Sequence, residues 1–324
     1  MSNWKSICSN KEQNIVYAVS YNNGIYKSID YGITFTHIFS DKSVVKYFWS
    51  ISCDNTGDYV ICGCMSKKVL CSNNAGNTFV YLTINDLGGS GIYALCNPDA
   101  LLYVNDEKSI FICFSTTGTN QIFSYVYYNS ENNIFTYHSQ NFGNYVNNIN
   151  LNSKYIMIAG TYTNNVRIYN YPEGYNSEIN INEPVLTISD IIILSPFTMS
   201  SCNDDYVLFQ GIDKNNFNYI LVRAYLKDFS SEIIKINLNE SVSLMQIDSN
   251  NDVYVLLSNT LKFIKYTFIN NTYVINDIKT LNKKYIWISI NSSSYNNIIF
   301  IGTFENNLFY FNTTDNIFYE SIIN

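Results

Sequence analysis

The sequence predicts an all-β fold assembled from copies of one four-stranded unit, and three observations carry that prediction. The first is a repeat: Trp4-Lys5-Ser6-Ile7 returns as Phe48-Trp49-Ser50-Ile51, and Ser28 through Phe35 returns as Ser72 through Phe79, both at an offset of 44 residues. A constant offset across two separate landmarks means that one supersecondary unit was copied, and periods near 40 to 50 residues belong to four-stranded blades. The second is that Trp287-Ile288-Ser289-Ile290 matches Trp4-Lys5-Ser6-Ile7 at an offset of 283, which carries Val16-Tyr17-Ala18 onto Ile299-Phe300-Ile301 and Phe35 onto Phe318 without a gap. The third is composition: 29 Tyr and 20 Phe, with hydrophobic residues at 47% and charged residues at 14%, suit half-buried pleated surfaces rather than helices or disorder.

The first unit reads as strands over 4–8, 15–20, 24–28 and 34–39, each apolar or alternating and each bounded by Asn, Gly, Asp or Ser turns. The second follows by adding 44, so 15–19 maps onto 59–63. Between these and the last unit the copies degrade, yet a first-strand hydrophobe is placed at Leu95, Ile149, Met199 and Met245, joining Ile7, Ile51 and Ile290 to make seven. Apolar second strands follow at 110–113, 155–158, 206–209 and 253–257. Seven units in 324 residues predict a single domain over 1–324, a seven-bladed β-propeller of four-stranded antiparallel blades, with six or eight blades as the alternatives because the middle spacings are uneven. The run ending at Ile323 reads as an outermost strand, so closure is expected by packing of complete first and last blades.

Charge and cysteine usage narrow the partners. A formal charge of −7 argues against nucleic acid, because counterion release needs clustered Lys and Arg, and the Lys-Lys pairs at 67 and 283 are short. The N-terminal residues lack a basic region followed by an apolar one, and no run reaches the roughly 20 apolar residues of a bilayer span, so membrane insertion is not expected. The expected location is intracellular and soluble, in the cytoplasm or within a viral particle. Cys62-Gly63-Cys64 with Cys71 reads as small hydrophobes on one strand face rather than a metal site, since no second knuckle or neighbouring His is visible. No metal and no cofactor is expected. The four Asn-x-Ser/Thr triplets, at Asn239, Asn270, Asn291 and Asn312, are what an Asn-rich chain carries by chance. The bias toward Asn, Ile, Tyr and Lys resembles proteins of very AT-rich genomes, such as those of giant viruses or some protists.

The turn motif is more specific. In Ser28-x-Asp30-x-Gly32-x-Thr34-Phe35 the carboxylate can accept backbone N–H groups across a tight turn, the glycine tolerates positive φ, and the aromatic pins the turn to the sheet. Ser72, Asn74, Gly76, Thr78 and Phe79 form the second copy, with Asn74 keeping an acceptor, and the last copy keeps only Phe318. On these residues the chain resembles the Asp-box (BNR) repeat propellers, whose members include sialidase-like, sortilin-type and photosystem assembly-factor-like propellers and some xyloglucanases. The resemblance implies that the box is structural, lying between third and fourth strands away from the usual ligand site.

Enzyme readings find little support. The resemblance to sialidases implies three arginines on the substrate carboxylate, and this chain has only Arg167 and Arg223. A glycosidase needs two placed carboxylates. Asp54, Asp106, Asp204, Asp205, Asp213, Asp248 and Asp252 are available, but turn chemistry explains most of them. His37 and His138 fall in matching outer-strand contexts, and neither a Gly-rich phosphate loop nor Gly-x-Ser-x-Gly occurs.

The loops between second and third strands converge with the blade-joining loops on one face of a propeller. There the sequence supplies Tyr21, Asn22, Asn23, Lys67, Lys68, Tyr162, Asn164, Phe304 and Asn306. Rings beside amides suit protein backbones or glycans, since both present apolar faces edged by hydrogen-bonding groups. The expected function is a noncatalytic scaffold for a protein partner, in a viral particle or assembly. The alternative is a glycan-binding propeller, followed by a glycoside hydrolase with an unusual site.

Overall fold

The computed structural model describes residues 4–41, 47–54, 56–64, 68–83, 95–96, 102–105, 108–117, 120–129, 134–141, 146–151, 155–160, 165–170, 183–189, 191–192, 199–200, 206–213, 219–238, 242–247, 252–257, 262–269, 272–280, 287–292, 298–303 and 307–324. Among them every regular element is a β-strand, and the strands form seven sheets in which every pair but one is antiparallel. The first sheet holds β1 (Trp4–Ser9), β2 (Val16–Ser20), β3 (Gly24–Ser28) and β4 (Thr34–Phe39) in that order. The second holds β5 (Phe48–Cys53), β6 (Val60–Cys64), β7 (Lys68–Ser72) and β8 (Val80–Thr83), so the 44-residue offset is reproduced strand by strand. With the third and last sheets these make one compact unit, while the fourth, fifth and sixth sheets make another.

Within each unit the sheets stack face to face, and the side-chain period of two sorts each strand between its neighbours. In β2, Tyr17 and Val19 join a cluster with Ile51, Val60, Cys62 and Cys64 of the second sheet. Val16 and Ala18, one residue out of phase, join Phe300 and Leu308 of the last sheet. The same division occurs in the other unit, where Val207 and Phe209 face Val166 and Ile168 of the fourth sheet, and Tyr206 and Leu208 face Val253 and Val255 of the sixth. A strand buried on both faces reads as a continuous apolar run, which is why 16–19 and 253–257 show no alternation. At about 1.5–3 kcal/mol for each fully buried aliphatic or aromatic side chain, these inter-sheet clusters are the largest stabilising contribution in the fold.

The first strands share a further feature. Their pairing with the second strand slips by one residue between Trp4 and Ser6, Phe48 and Ser50, Val146 and Asn148, Val242 and Leu244, and Trp287 and Ser289. Five sheets therefore carry a β-bulge at the second residue of the strand, namely Lys5, Trp49, Asn147, Ser243 and Ile288. The expected hydrophobes Ile7, Ile51, Ile149, Met245 and Ile290 follow two residues later, opposite the second strand.

Two sheets depart from this pattern. In the third, Leu95–Cys96 and Leu102–Asn105 share one edge of Lys108–Thr117, and in the fifth, Ile191–Ile192 and Met199–Ser200 share one edge of Tyr206–Asp213. Leu95 and Met199 thus sit on short pieces of a divided first strand. The run ending at Ile323 also divides. Ile317–Glu320 completes the last sheet, whereas Ile322–Ile323 crosses to pair in parallel with β4, with Ile322 opposite Thr34 and Ile323 opposite Phe35. The first sheet consequently has five strands. First and last sheets each have four strands of their own and pack through Trp4, Phe300 and Leu308, but the terminal strand adds a backbone link between them that face packing alone does not provide.

Candidate functional site

The turns at the two ends of the first sheets have different chemistry. At one end lie the β1–β2 and β3–β4 turns. Ser28 Oγ donates to Asp30 Oδ1 at 2.7 Å and accepts from Gly32 N at 2.9 Å, while Asp30 accepts from Thr34 N at 2.9 Å and from Thr34 Oγ1 at 2.6 Å. Desolvation raises the Asp30 carboxyl, but the bonds from Thr34 and Ser28 outweigh it and hold the group below its ordinary range. The second copy repeats the pattern. Ser72 Oγ donates to Asn74 Oδ1 at 3.0 Å and accepts from Gly76 N at 3.0 Å, Thr78 N donates to Asn74 Oδ1 at 3.0 Å, and Asn74 Nδ2 donates to Thr78 Oγ1 at 2.8 Å. Phe35 is buried and Phe79 packs against the core cluster between the first two sheets.

These turns are also tied to the sheet before them. Gly32 (φ +79°) lies on the ring of Phe300, and Gly76 (φ +75°) on Ile38 and the ring of Tyr17, which is the residue equivalent to Phe300. Lys27 Nζ donates to Ala75 O at 2.8 Å, and Tyr17 Oη donates to Gly57 O at 2.8 Å. This end is occupied by structural bonds.

The opposite end carries the β2–β3 turn and the starts of β1, β5 and β7. Tyr21, directly after β2, stacks on Tyr47, directly before β5, with ring centroids 4.4 Å apart and planes at 17°. Phe48 N donates to Tyr21 O at 3.1 Å, which holds the two segments together. The bulge at Lys5 places its Nζ 5.3 Å from the Tyr21 ring centroid, a cation–π distance, and burial lowers its pKa. Asn22 is exposed, and Asn23 O accepts from His37 Nε2 at 2.9 Å. A carbonyl only accepts, so that nitrogen carries the proton. His37 in turn stands edge-on to Tyr26, and Tyr26 edge-on to buried Trp4. A second cation–tyrosine pair occurs in the neighbouring sheet, where Lys68 Nζ lies 5.6 Å from the Tyr81 centroid and Tyr81 Oη donates to Asp41 Oδ2 at 2.7 Å. Phe39 joins the two, with Phe48 and Tyr81 each 6.4 Å from it.

Of the residues singled out in the sequence, Tyr21, Asn22, Asn23 and Lys68 are thus placed at one end of adjacent sheets. Lys67, Tyr162, Asn164, Phe304 and Asn306 lie outside the described residues. Tyr47 and Lys5 were not singled out. Tyr47 has a signal, being the residue before the Phe48 that repeats Trp4, but Lys5 has none without knowledge of the bulge.

Groups suited to catalysis are engaged elsewhere. Asp54 accepts from Thr56 Oγ1 at 2.6 Å and Tyr59 N at 3.0 Å, closing its own turn, and Asp252 pairs with Lys265 at 2.6 Å. Arg223 is buried, with its guanidinium 4.6 Å from the Tyr206 centroid and 5.7 Å from that of Tyr225. His37 and His138 both lie on the fourth strand of their sheets. Cys8, Cys53, Cys62, Cys64 and Cys71 are buried and free, and burial raises the Cys71 thiol. No group of metal-ligating side chains occurs among the described residues. No helix of the described residues is long and apolar enough to cross a membrane.

No family profile matches the chain, and no curated protein matches it. Solved structures do match, and they define the class: the fold is a β-propeller. The chain is similar to a chain of the mitotic checkpoint complex, with a TM-score of 0.67, 12% identity, and 96% of this chain and 87% of that one covered. It is similar to U3-55K, with a TM-score of 0.63, 11% identity and 94% and 90% covered. It also resembles the WD40 β-propeller domain of Doa1, with a TM-score of 0.60, 11% identity and 95% and 92% covered. At these identities the likeness concerns the fold.

Proposed function

We propose that this protein is a noncatalytic interaction module that binds a protein partner through the end carrying the Tyr21–Tyr47 stack. The carrying observation is the contrast between the two ends: at one, Asp and Ser side chains are spent on turns and inter-sheet bonds, while the other presents exposed amide and stacked phenol groups beside a half-buried lysine. Tyrosines in such a setting supply large contact areas with a polar tip, the chemistry of interface anchors. The engagement of Asp54, Asp252 and Arg223 in structural contacts supports a noncatalytic reading. One structural neighbour belongs to a multiprotein assembly, the mitotic checkpoint complex, which supports the same class of role.

The reading extends to architecture and origin. The seven sheets found among the described residues support seven blades in a single domain, and the Ser28–Asp30–Thr34 and Ser72–Asn74–Thr78 bonds support membership of the Asp-box propellers. The AT-rich compositional bias directs the search for the partner to viral particles and assemblies of such genomes. Affinity purification of the chain from its native source, with mass spectrometry against a mock bait and a Tyr21→Ala/Tyr47→Ala bait, tests this. A stoichiometric protein lost with the double variant is the expected result. Glycan binding or substrate turnover that depends on those tyrosines, with no such protein, would overturn it.

A further inference from the structure

The outer edge of the first sheet carries a second surface, separate from the Tyr21 end. We propose that the Ile322–Ile323 strand and the Asp-box turn beside it receive an extended segment of a second protein, in which aliphatic residues alternate with Lys or Arg.

First, the side chains that close the Asp-box turn are spent, but those between them are not. The first copy reads Ser28-Ile29-Asp30-Tyr31-Gly32-Ile33-Thr34 and the second Ser72-Asn73-Asn74-Ala75-Gly76-Asn77-Thr78, and both make the same turn bonds. Ile29, Tyr31 and Ile33 are exposed. Tyr31 also takes a φ of +61°, which disfavours a bulky side chain and which its counterpart Ala75 adopts at +56°. The turn therefore requires none of the three. They continue into exposed Ile322, whose N–H donates to Ile33 O at 2.8 Å. Half of the large apolar side chains exposed among the described residues lie within 29–33 and 317–323, and apolar exposure concentrated in this way marks an interaction surface.

Second, the backbone favours an extended ligand. Ile322 N and Asn324 N donate inward to Ile33 O and Phe35 O, each at 2.8 Å, so the N–H and C=O of Ile323 between them face the outer edge. Such an edge is completed by another strand.

Third, charge favours a basic ligand. Tyr31 N donates to Asn14 O at 3.4 Å, so the β1–β2 turn adjoins this edge. Across 10–14, 28–34 and 307–324, Lys11 and Glu12 offset each other in charge, and Asp30, Asp315 and Glu320 remain. Asp30 accepts from Ser28 and Thr34, Asp315 from Ile317 N and Tyr319 Oη, and Glu320 from Asn307 Nδ2. These donors are neutral, so they orient the carboxylates without cancelling their charge. Burial, and then the charges of Asp30 and Asp315, raise the Tyr310 hydroxyl, and Tyr310 stacks on Tyr319 with centroids 5.0 Å apart. Acids of the first and last sheets thus act on one phenol. A carboxylate that already accepts from neutral donors keeps lone pairs for an ammonium or guanidinium. The same charge disfavours a second copy of this chain, whose identical surface would bring like charges together.

Fluorescence anisotropy of the full chain with a labelled peptide of two Lys-Ile-Lys-Val units, in about 0.15 M salt, tests this, with Glu-Ile-Glu-Val and Lys-Ser-Lys-Thr versions as controls. Saturable binding of the basic aliphatic peptide alone is expected. It should weaken by about tenfold or more in Ile322→Ser and in Ile29→Asn/Ile33→Asn, and fall with added salt, while Tyr21→Ala leaves it unchanged. Ile322→Ser keeps the backbone pairing and Ile29→Asn/Ile33→Asn gives the first turn the residues of the second, so either carries the test if the other fails to fold by circular dichroism. No saturable binding, equal binding of either control peptide, binding indifferent to both variants, or binding lost in Tyr21→Ala would overturn the proposal. A concentration-dependent dimer in sedimentation that Ile322→Ser abolishes would overturn it too, by placing a second copy on this edge.

Discussion

Gly32 lies against the ring of Phe300 so closely that a Cβ on the glycine would fall 2.5 Å from Phe300 Cε1. Gly76 repeats the relationship with Tyr17, at 3.3 Å, one sheet further on. The box glycine is therefore a contact point between sheets as well as a turn residue. Because its φ is also positive, Gly32→Ala is expected to destabilise the protein by about 2–4 kcal/mol, combining backbone strain with overpacking. Phe300→Leu should relieve part of the clash, so a double-mutant cycle by urea denaturation should show coupling of at least about 0.5 kcal/mol. Additive effects would mean that the turn and the ring are energetically independent.

Asp30 accepts three bonds that Asn74 largely reproduces with an amide. Asp30→Ala should cost about 1–3 kcal/mol and Asp30→Asn clearly less. The folded carboxyl titrates below its ordinary value of 3.8, so its stabilisation is present above that value and disappears as pH falls through the lower folded value. Thermal melts of wild type and Asp30→Asn should accordingly converge in acid. A gap that widens as pH falls would contradict the assignment.

Asp252 and Lys265 form an ion pair at 2.6 Å with side chains 10% and 23% exposed, and Lys265 lies 5.5 Å from the Tyr254 centroid. Removing one partner strands a desolvated charge, so Asp252→Ala should cost about 3 kcal/mol, while Asp252→Leu/Lys265→Met should recover most of that loss. Chemical denaturation of the two variants reads the difference directly.

Ile322 is 57% exposed, yet its N–H donates to Ile33 O at 2.8 Å. Ile322→Ser should therefore leave the melting temperature nearly unchanged, whereas Ile322→Pro, which deletes the donor, should cost about 1–2 kcal/mol. Equal effects would show that side-chain contacts, not strand pairing, hold this segment.

Most of the fold was legible because copied sequence keeps its register: the Trp4, Ser28 and Phe35 landmarks located β1 to β8 and, through Trp287 and Phe318, parts of the last sheet. What escaped has a physical reason in each case. The bulge at Lys5 inserts a residue without disturbing the apolar Ile7, so the pattern looks continuous while the face changes beneath it. Glu320-Ser321 interrupts the run from Ile317 to Ile323 by only two residues, too short a break to show where the chain leaves the last sheet for the first. Leu95 and Met199 were recognisable as hydrophobes, but a strand divided into two short pieces has no periodicity to read. At the site, Tyr21, Asn22, Asn23 and Lys68 were legible from turn chemistry. The stack with Tyr47 was not, because it joins segments of different sheets.

The parallel pairing of Ile322–Ile323 with Thr34–Phe35 sets an order on synthesis. Strand β4 is synthesised before Ile322–Ile323, so it meets its outer neighbour only after the last sheet has been made. Until then it is an open edge of the kind that recruits foreign strands, so of the two sheets this pairing joins, the one made earlier is the one left exposed to mispairing.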